Sequence, residues 1–154
     1  MSQIDISEVN LVNIQQRTLE LSQAILRTPT VRTASSMIHS LLEGGELHLK
    51  LECLQHSGSF KARGALSIIH SIPSEKRAAG ITAASAGNHA IAAAWAARKS
   101  RMSAKVVMQS TANPFRIALA QTERAEVIIK EPGQATFAEA ERLSRDEGRT
   151  FVHP

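Results

Sequence analysis

Apolar and polar residues follow two different periods along this chain, and the switches between them mark its elements. Over residues 8–26, Val9, Val12, Leu19, Leu21, Ile25 and Leu26 fall at imperfect helical spacing. That spacing predicts a helix, which Thr28-Pro29-Thr30 then breaks. Residues 47–51 (Leu-His-Leu-Lys-Leu) alternate strictly, as a strand with one buried face does. A loop over 53–59 leads into an apolar helix from Phe60 to about Ile72, closed by Pro73. From Gly80 onward the alternation becomes regular. Strands are expected at 81–84, 104–108, 126–130 and 150–152, with helices at 88–99, 114–123 and 134–147 between them. Ile91, Trp95 and Arg98 share one helix face, and Phe137, Ala140 and Ser144 another. Glu141 and Arg145 stand in the favourable i,i+4 order for an ion pair. This order of elements predicts parallel βαβ units with right-handed crossovers, in an open α/β sheet of three layers.

Composition narrows the function classes. The chain has 154 residues, with 43% hydrophobic and 21% charged, an ordinary balance for a globular protein. No apolar stretch approaches the ~20 residues of a membrane span. Residues 1–8 lack the basic-then-apolar layout of a signal peptide. The single cysteine, Cys53, cannot form an internal disulfide and suits a reducing compartment, so a cytoplasmic setting is expected. A pI near 9.7 raises the question of nucleic acid. The net charge is only +4, however, and one Trp, four Phe and no Tyr offer little for base stacking. The densest basic run, Arg98, Lys99, Arg101 and Lys105, sits at a helix end where the dipole favours cations in any case. None of the six histidines forms an H-x-x-x-H pair, so no metal-ligand spacing is visible.

Two strand-to-helix turns carry the candidate chemistry. The first is Ser57-Gly58-Ser59-Phe60-Lys61-Ala62-Arg63-Gly64-Ala65. Open α/β sheets bind ligands where strands hand over to helices. Ser59 is expected to cap the helix, which places Lys61 in its first turn. A cation among unpaired N–H groups is disfavoured, which favours the free amine that attacks a carbonyl. Gly58 and Gly64 would allow close approach, and Phe60 could offer a ring face to a planar cofactor. A solvated surface lysine is the plain alternative. The second turn is Ser85-Ala86-Gly87-Asn88-His89-Ala90, where Gly87 and Asn88 tolerate positive φ and the next helix opens with free N–H groups. Ser85 and Asn88 could add hydrogen bonds to an anion, or either could be an ordinary cap. His89 reads better as a structural residue than as a general base.

Taken together, the two turns resemble those of fold type II pyridoxal-phosphate enzymes, above all threonine/serine dehydratases and serine racemase. Residues 59–65 resemble that family's cofactor-lysine motif and 85–90 its substrate-carboxylate loop. Arg27-Thr28-Pro29 and Leu49-Lys50-Leu51-Glu52 fit the same order. The resemblance implies a tryptophan-synthase-β-like fold and pyridoxal 5'-phosphate as cofactor. It implies that Lys61 bonds to the cofactor aldehyde and then shuttles the substrate Cα proton. Phe60 would pack on the cofactor ring, and Asn88 would bond its phenolic oxygen. Ser85, Gly87, Asn88 and His89 would bind the substrate carboxylate. The implied reaction turns a hydroxy amino acid into a 2-oxo acid plus ammonia.

Within that family, Lys61-Ala62-Arg63 and Gly87-Asn88-His89 depart from sulfhydrylase-type motifs. Ala86 stands where serine racemases carry a proton-donating serine, which favours dehydration over racemisation. Members of the family are longer and bring a glycine-rich phosphate loop after the point where this sequence stops. Residues 1–73 are therefore expected as the first part of a large domain, 74–148 as a whole small domain, and 149–154 as the return to the large one. An exposed apolar face follows, with a homo-oligomer or a complementary C-terminal fragment as partner, and no nucleic acid or membrane. Glycines usual in relatives are absent near Ser100 and at Arg124, where a left-handed residue costs ~1 kcal/mol or more. Relaxed selection is one reading of that pair. The alternatives left open are a non-catalytic remnant or binding module of the same fold, and racemase-type activity in the parent enzyme.

Overall fold

The computed structural model describes residues 9–154. Residues 1–8, including the first of the expected helix 8–26, lie outside them. Helix α1 (Leu11–Leu21) begins where Asn10 accepts the Asn13 N–H at 2.9 Å, and only Leu21 on it is buried. Two short elements follow that periodicity does not predict: β1 (Thr30–Arg32) and α2 (Ser36–Leu41). Strand β1 pairs antiparallel with β2 (His48–Lys50), Val31 opposite Leu49. Both strands are exposed throughout. Helix α3 (Lys61–His70) comes next, after two single 3₁₀ turns at Glu52–Leu54 and His56–Gly58.

The larger sheet matches the regular part of the sequence. Strands β3 (Ile81–Ala84), β4 (Ala104–Gln109), β5 (Glu126–Lys130) and β6 (Thr150–Phe151) are all parallel, in the order β5-β4-β3-β6. Helices α4 (Asn88–Lys99), α5 (Pro114–Thr122) and α6 (Gln134–Glu147) connect them. Side chains alternate across the sheet as a period of two demands. Ile81, Ala83, Val106 and Met108 join α3, α4 and α5 in one apolar cluster, while Ala84 and Val107 pack with Ala140 and Leu143 of α6 in another. Helices thus cover both faces, giving the three-layer α/β arrangement. Helix α4 is buried from His89 to Ala97; its many alanines let α3, α5 and the sheet approach closely.

Chain order reverses at β3. The α4 connection leads from β3 to β4 on one side, and α6 brings the chain back to β6 on the other. In open parallel sheets such a reversal leaves a crevice at the carboxyl ends of the strands. The turn 85–89 lies there, directly after β3.

Helices α4 and α5 end alike. Met102 N–H bonds Ala97 O at 2.9 Å and Arg101 N–H bonds Arg98 O at 3.1 Å. Ala125 N–H bonds Ala120 O at 3.2 Å and Arg124 N–H bonds Gln121 O at 2.8 Å. Each pair is the double bond of a Schellman ending, whose left-handed residue is usually glycine. Here those residues are arginines, Arg101 at φ +57° and Arg124 at φ +63°. The first departure therefore falls on Arg101 and not on Ser100, which keeps φ −94°. A left-handed non-glycine residue costs ~1–2 kcal/mol, while a cation at a helix carboxyl end returns only ~0.3–1 kcal/mol. Arg124→Gly is expected to raise stability by about 1 kcal/mol, or ~2–4 °C in Tm, by calorimetry.

The expected Glu141–Arg145 pair does not form; Arg145 instead meets its neighbour Asp146 at 3.1 Å. Around α1 and α2 the apolar side chains stay open: Val12 is 72% and Leu41 73% exposed. No helix among the described residues is long and apolar enough to cross a membrane.

Candidate active site

Lys61 is the first residue of α3, and a polar clamp fixes the loop before it. Gln55, buried, donates to Leu26 O at 2.8 Å and accepts from Leu26 N–H at 3.0 Å. Arg63 grips Glu52 with Nε at 2.8 Å and Nη2 at 2.7 Å, and also donates to Leu26 O at 3.1 Å. Thr28 adds a hydroxyl bond to Glu52 at 2.5 Å, and Lys50 reaches Thr28 O at 2.6 Å. The Arg63 bonds above all hold the Glu52 carboxyl down at about 2. His56 stacks on Trp95 of α4 at 5.0 Å between ring centres, tying the same loop to the helix beyond.

Between these anchors, Ser57 (φ +60°) and Gly58 (φ +69°) take left-handed backbone and turn the chain into α3. Ser59 does not cap the helix. Its backbone is extended, its side chain is turned inward, and the capping position falls to Phe60, which makes no side-chain bond. The Ser59 hydroxyl is buried without a partner, as is that of Ser57. Gly58 serves the turn, and nothing among the described residues crowds either Gly58 or Gly64. Lys61 is half-buried, its Nζ 5.6 Å from the centre of the exposed Phe60 ring.

The second turn is built from β3. Ser85 N–H bonds Val107 O at 3.1 Å, and the Ser85 hydroxyl accepts the Gly87 N–H at 3.2 Å. Gly87 (φ −138°, ψ −149°) and helical Asn88 avoid positive φ, contrary to the sequence expectation. Gly87 instead provides room: a Cβ there would stand 2.8 Å from Arg116 Nη1. No side chain caps α4, so its opening N–H groups keep the positive end of the dipole available at exposed Asn88.

His89 is buried, and its Nε2 lies 2.9 Å from Val152 O. A carbonyl only accepts, so Nε2 carries the proton and Nδ1 is left as an acceptor. Burial pushes this imidazole below the usual histidine range. The Lys61 and His153 charges push the same way, against the pull of the Val152 bond. The Lys61 charge is thus felt at His89, across 28 residues of sequence. The packing of α3 and of the 3₁₀ turn His56–Gly58 on α4 brings the first turn toward the second.

The donor set suits a planar aldehyde cofactor carrying anionic groups. An amine, an open aromatic face, two buried hydroxyls without partners and two uncapped helix starts lie in one region. Among the described residues, no group of three or more His, Cys, Asp or Glu could hold a metal ion.

Comparison with known proteins agrees. A family model described as pyridoxal-phosphate dependent enzyme matches residues 21–154. The chain belongs to that family. It is 50% identical over 111 residues to the phenylserine dehydratase of Ralstonia pickettii, covering 72% of this chain and 34% of that protein. It is 35% identical over 147 residues to a catabolic L-threonine dehydratase of Staphylococcus aureus, covering 95% of this chain and 42% of the relative. The maize serine racemase structure superposes with a TM-score of 0.84 at 27% identity, covering 92% of this chain and 42% of that one. The chain therefore spans about a third to two fifths of the length of these relatives.

Sequence reasoning missed Arg116 beside Gly87, the clamp residues Gln55 and Glu52, and the inward Ser57 and Ser59 hydroxyls. Glu52 left a signal in the Leu49-Lys50-Leu51-Glu52 segment, and Ser57 and Ser59 in the first turn; their roles did not.

Proposed function

We propose that this chain carries the lysine and carboxylate half of a pyridoxal-phosphate-dependent ammonia-lyase acting on a β-hydroxy amino acid. The observation that carries this reading is the packing of α3 and of the 3₁₀ turn His56–Gly58 against α4, which sets Lys61, at the uncapped start of α3, on the helix that opens from the turn after β3. The dehydratase names of the two sequence relatives support the substrate class. Pyridoxal phosphate, when bound, supplies an electron sink for negative charge at the substrate Cα.

The chain's own residues do the rest. Lys61 Nζ would hold the cofactor aldehyde and, as a free amine, would take the proton from the substrate Cα. Phe60 would offer the ring face, and the Asn88 amide would bond the phenolic oxygen. Ser85, Gly87, Asn88 and His89 seat the substrate carboxylate, mainly through the Asn88 and His89 N–H groups at the positive end of α4, with the Ser85 hydroxyl beside them and Gly87 leaving room. Neutral His89, bonded to Val152, holds the shape of that turn and moves no proton. Ala86 has no proton to deliver to the opposite face, which favours elimination over racemisation. The Cα–H and Cβ–O bonds would break, the proton and the β-hydroxyl would leave as water, and one solvent water would hydrolyse the released enamine, as its imine, to a 2-oxo acid plus ammonia. A cytoplasmic setting and self-association through the open α1 and α2 faces complete the proposal.

Titration of the purified chain with pyridoxal phosphate tests it. A visible absorbance band should grow in the native chain and be absent in Lys61→Ala. Thermal stabilisation by carboxylates with no lysine-dependent band would instead favour a non-catalytic binding module.

A further inference from the structure

Helices α4 and α5 pack side by side and end together, and their ends border a half-open pocket of about 300 Å³. Its lining includes Arg98, Arg101 and Arg124, with Glu123 as the acidic member. Arg98 Nε is held by Glu123 at 2.6 Å. Arg101 and Arg124 make no ion pair or side-chain hydrogen bond with any described residue. Three guanidinium groups against one carboxylate leave this cavity with a local surplus of two positive charges.

The helix ends do not explain this arrangement. The last carbonyls of α4 are already met by the Schellman bonds and by Arg77, whose Nη2 donates to Ser100 O at 3.3 Å. Arg101 and Arg124 each hold a left-handed backbone that glycine would adopt without strain. The dipole returns less than that backbone costs. Helix α6 does use glycine at its left-handed ending, Gly148 at φ +66° and ψ +15°. Among the described residues four non-glycine positions take positive φ, Glu43, Ser57, Arg101 and Arg124, and two of the four line this one pocket.

We propose that Arg98, Arg101 and Arg124 bind the phosphate group of a small anion. Guanidinium is the group whose planar fork matches phosphate oxygens two at a time, and all three cations are arginine. The site is separate from the lysine and carboxylate turns. It sits at the opposite end of α4, a helix of 12 residues and therefore about 18 Å long. The ligand is either free phosphate or a phosphomonoester, which share this chemistry.

Thermal melting of the intact chain tests the proposal, with inorganic phosphate, glucose 6-phosphate, and sodium chloride at matched ionic strength. Saturable stabilisation of several degrees over chloride is expected for the native chain. Stabilisation greater with the ester than with inorganic phosphate assigns the site to a phosphomonoester; equal stabilisation assigns it to the phosphate group alone. The variant Arg101→Gly/Arg124→Gly folds more readily because its strain is lifted. It should melt higher than native in chloride and lose the phosphate increment. An unchanged increment in that variant would place the anion elsewhere, for instance at the turn 85–89, and overturn the proposal. So would the absence of any increment over chloride in the native chain.

Discussion

Alanine at position 80 lowers the stability of the chain by about 3–5 kcal/mol, enough to cost ~10 °C or more in Tm. Gly80 combines φ +80° with ψ −163°, a region open almost only to glycine. A Cβ there would also stand 2.5 Å from Ser103 O and 2.7 Å from Arg149 Nη1, besides clashing with Ser103 Oγ. The backbone oxygen cannot swing aside, because it accepts the Ile81 N–H at 2.9 Å and so sets the start of β3. Gly80 O in turn receives the Thr150 N–H at 3.1 Å, which seats β6. Both strands that frame the turn 85–89 therefore start from this residue. Urea unfolding of Gly80→Ala should show a lower midpoint with an unchanged slope. A native-like midpoint would mean that the loop 100–103 is free to move away.

Removing Arg63 has the next largest effect, a loss of about 2–3 kcal/mol with Arg63→Met, because Glu52 stays behind as a partly buried, unpaired carboxylate. The pH dependence gives the signature. The Glu52 carboxyl titrates at about 2 in the folded chain against 4.5 for the ordinary group. A depressed carboxyl stabilises the fold fully above its unfolded value and loses that contribution as pH falls toward the folded one. The window is therefore pH 4.5 down to 2. The shift corresponds to ~3 kcal/mol, which solvent screening reduces to about 1–2 kcal/mol. Glu139, held at about 2 chiefly by Arg142, loses its contribution over the same window. Glu52→Gln should thus flatten the acid limb of the stability curve without abolishing it, as chemical denaturation at several pH values would show. An acid limb as steep as native would remove Glu52 from the account.

How far the fold is legible in the sequence depends on what holds each element. Strands β3 and β5 and helices α4 and α6 match the expected limits: all four residues of β3 and nearly all of α4 are buried, and β5 and α6 pack on the core through half-buried Val127 and Ile128 and buried Ala140 and Leu143. Strand β1 and helix α2 left no such trace. Each has no buried residue, and β1 exists only through its pairing with β2. Local rules also misplaced the cap of α3. A serine before a helix ordinarily caps it, but the left-handed pair Ser57-Gly58 turns Ser59 inward. The same limit applies at Arg101, where the sequence shows a missing glycine but not which of two adjacent residues takes the left-handed turn. At the site, Lys61, Ser85, Gly87, Asn88 and His89 were visible because two short motifs carry them. Arg116 was not, because it reaches Gly87 from another helix, 29 residues on. The Glu52–Arg63 grip joins a 3₁₀ turn to a helix, and no periodicity reports such a contact.

The central claim is that one amine among six lysines is set apart by its place beside the turn after β3. Borohydride reduction of the chain with substoichiometric pyridoxal phosphate, followed by peptide mapping, measures this directly. The account predicts that the reduced pyridoxyl group is found on Lys61, and that carboxylates seated at 85–89 alter its yield. Label spread evenly over Lys50, Lys76, Lys99, Lys105 and Lys130 as well would contradict it.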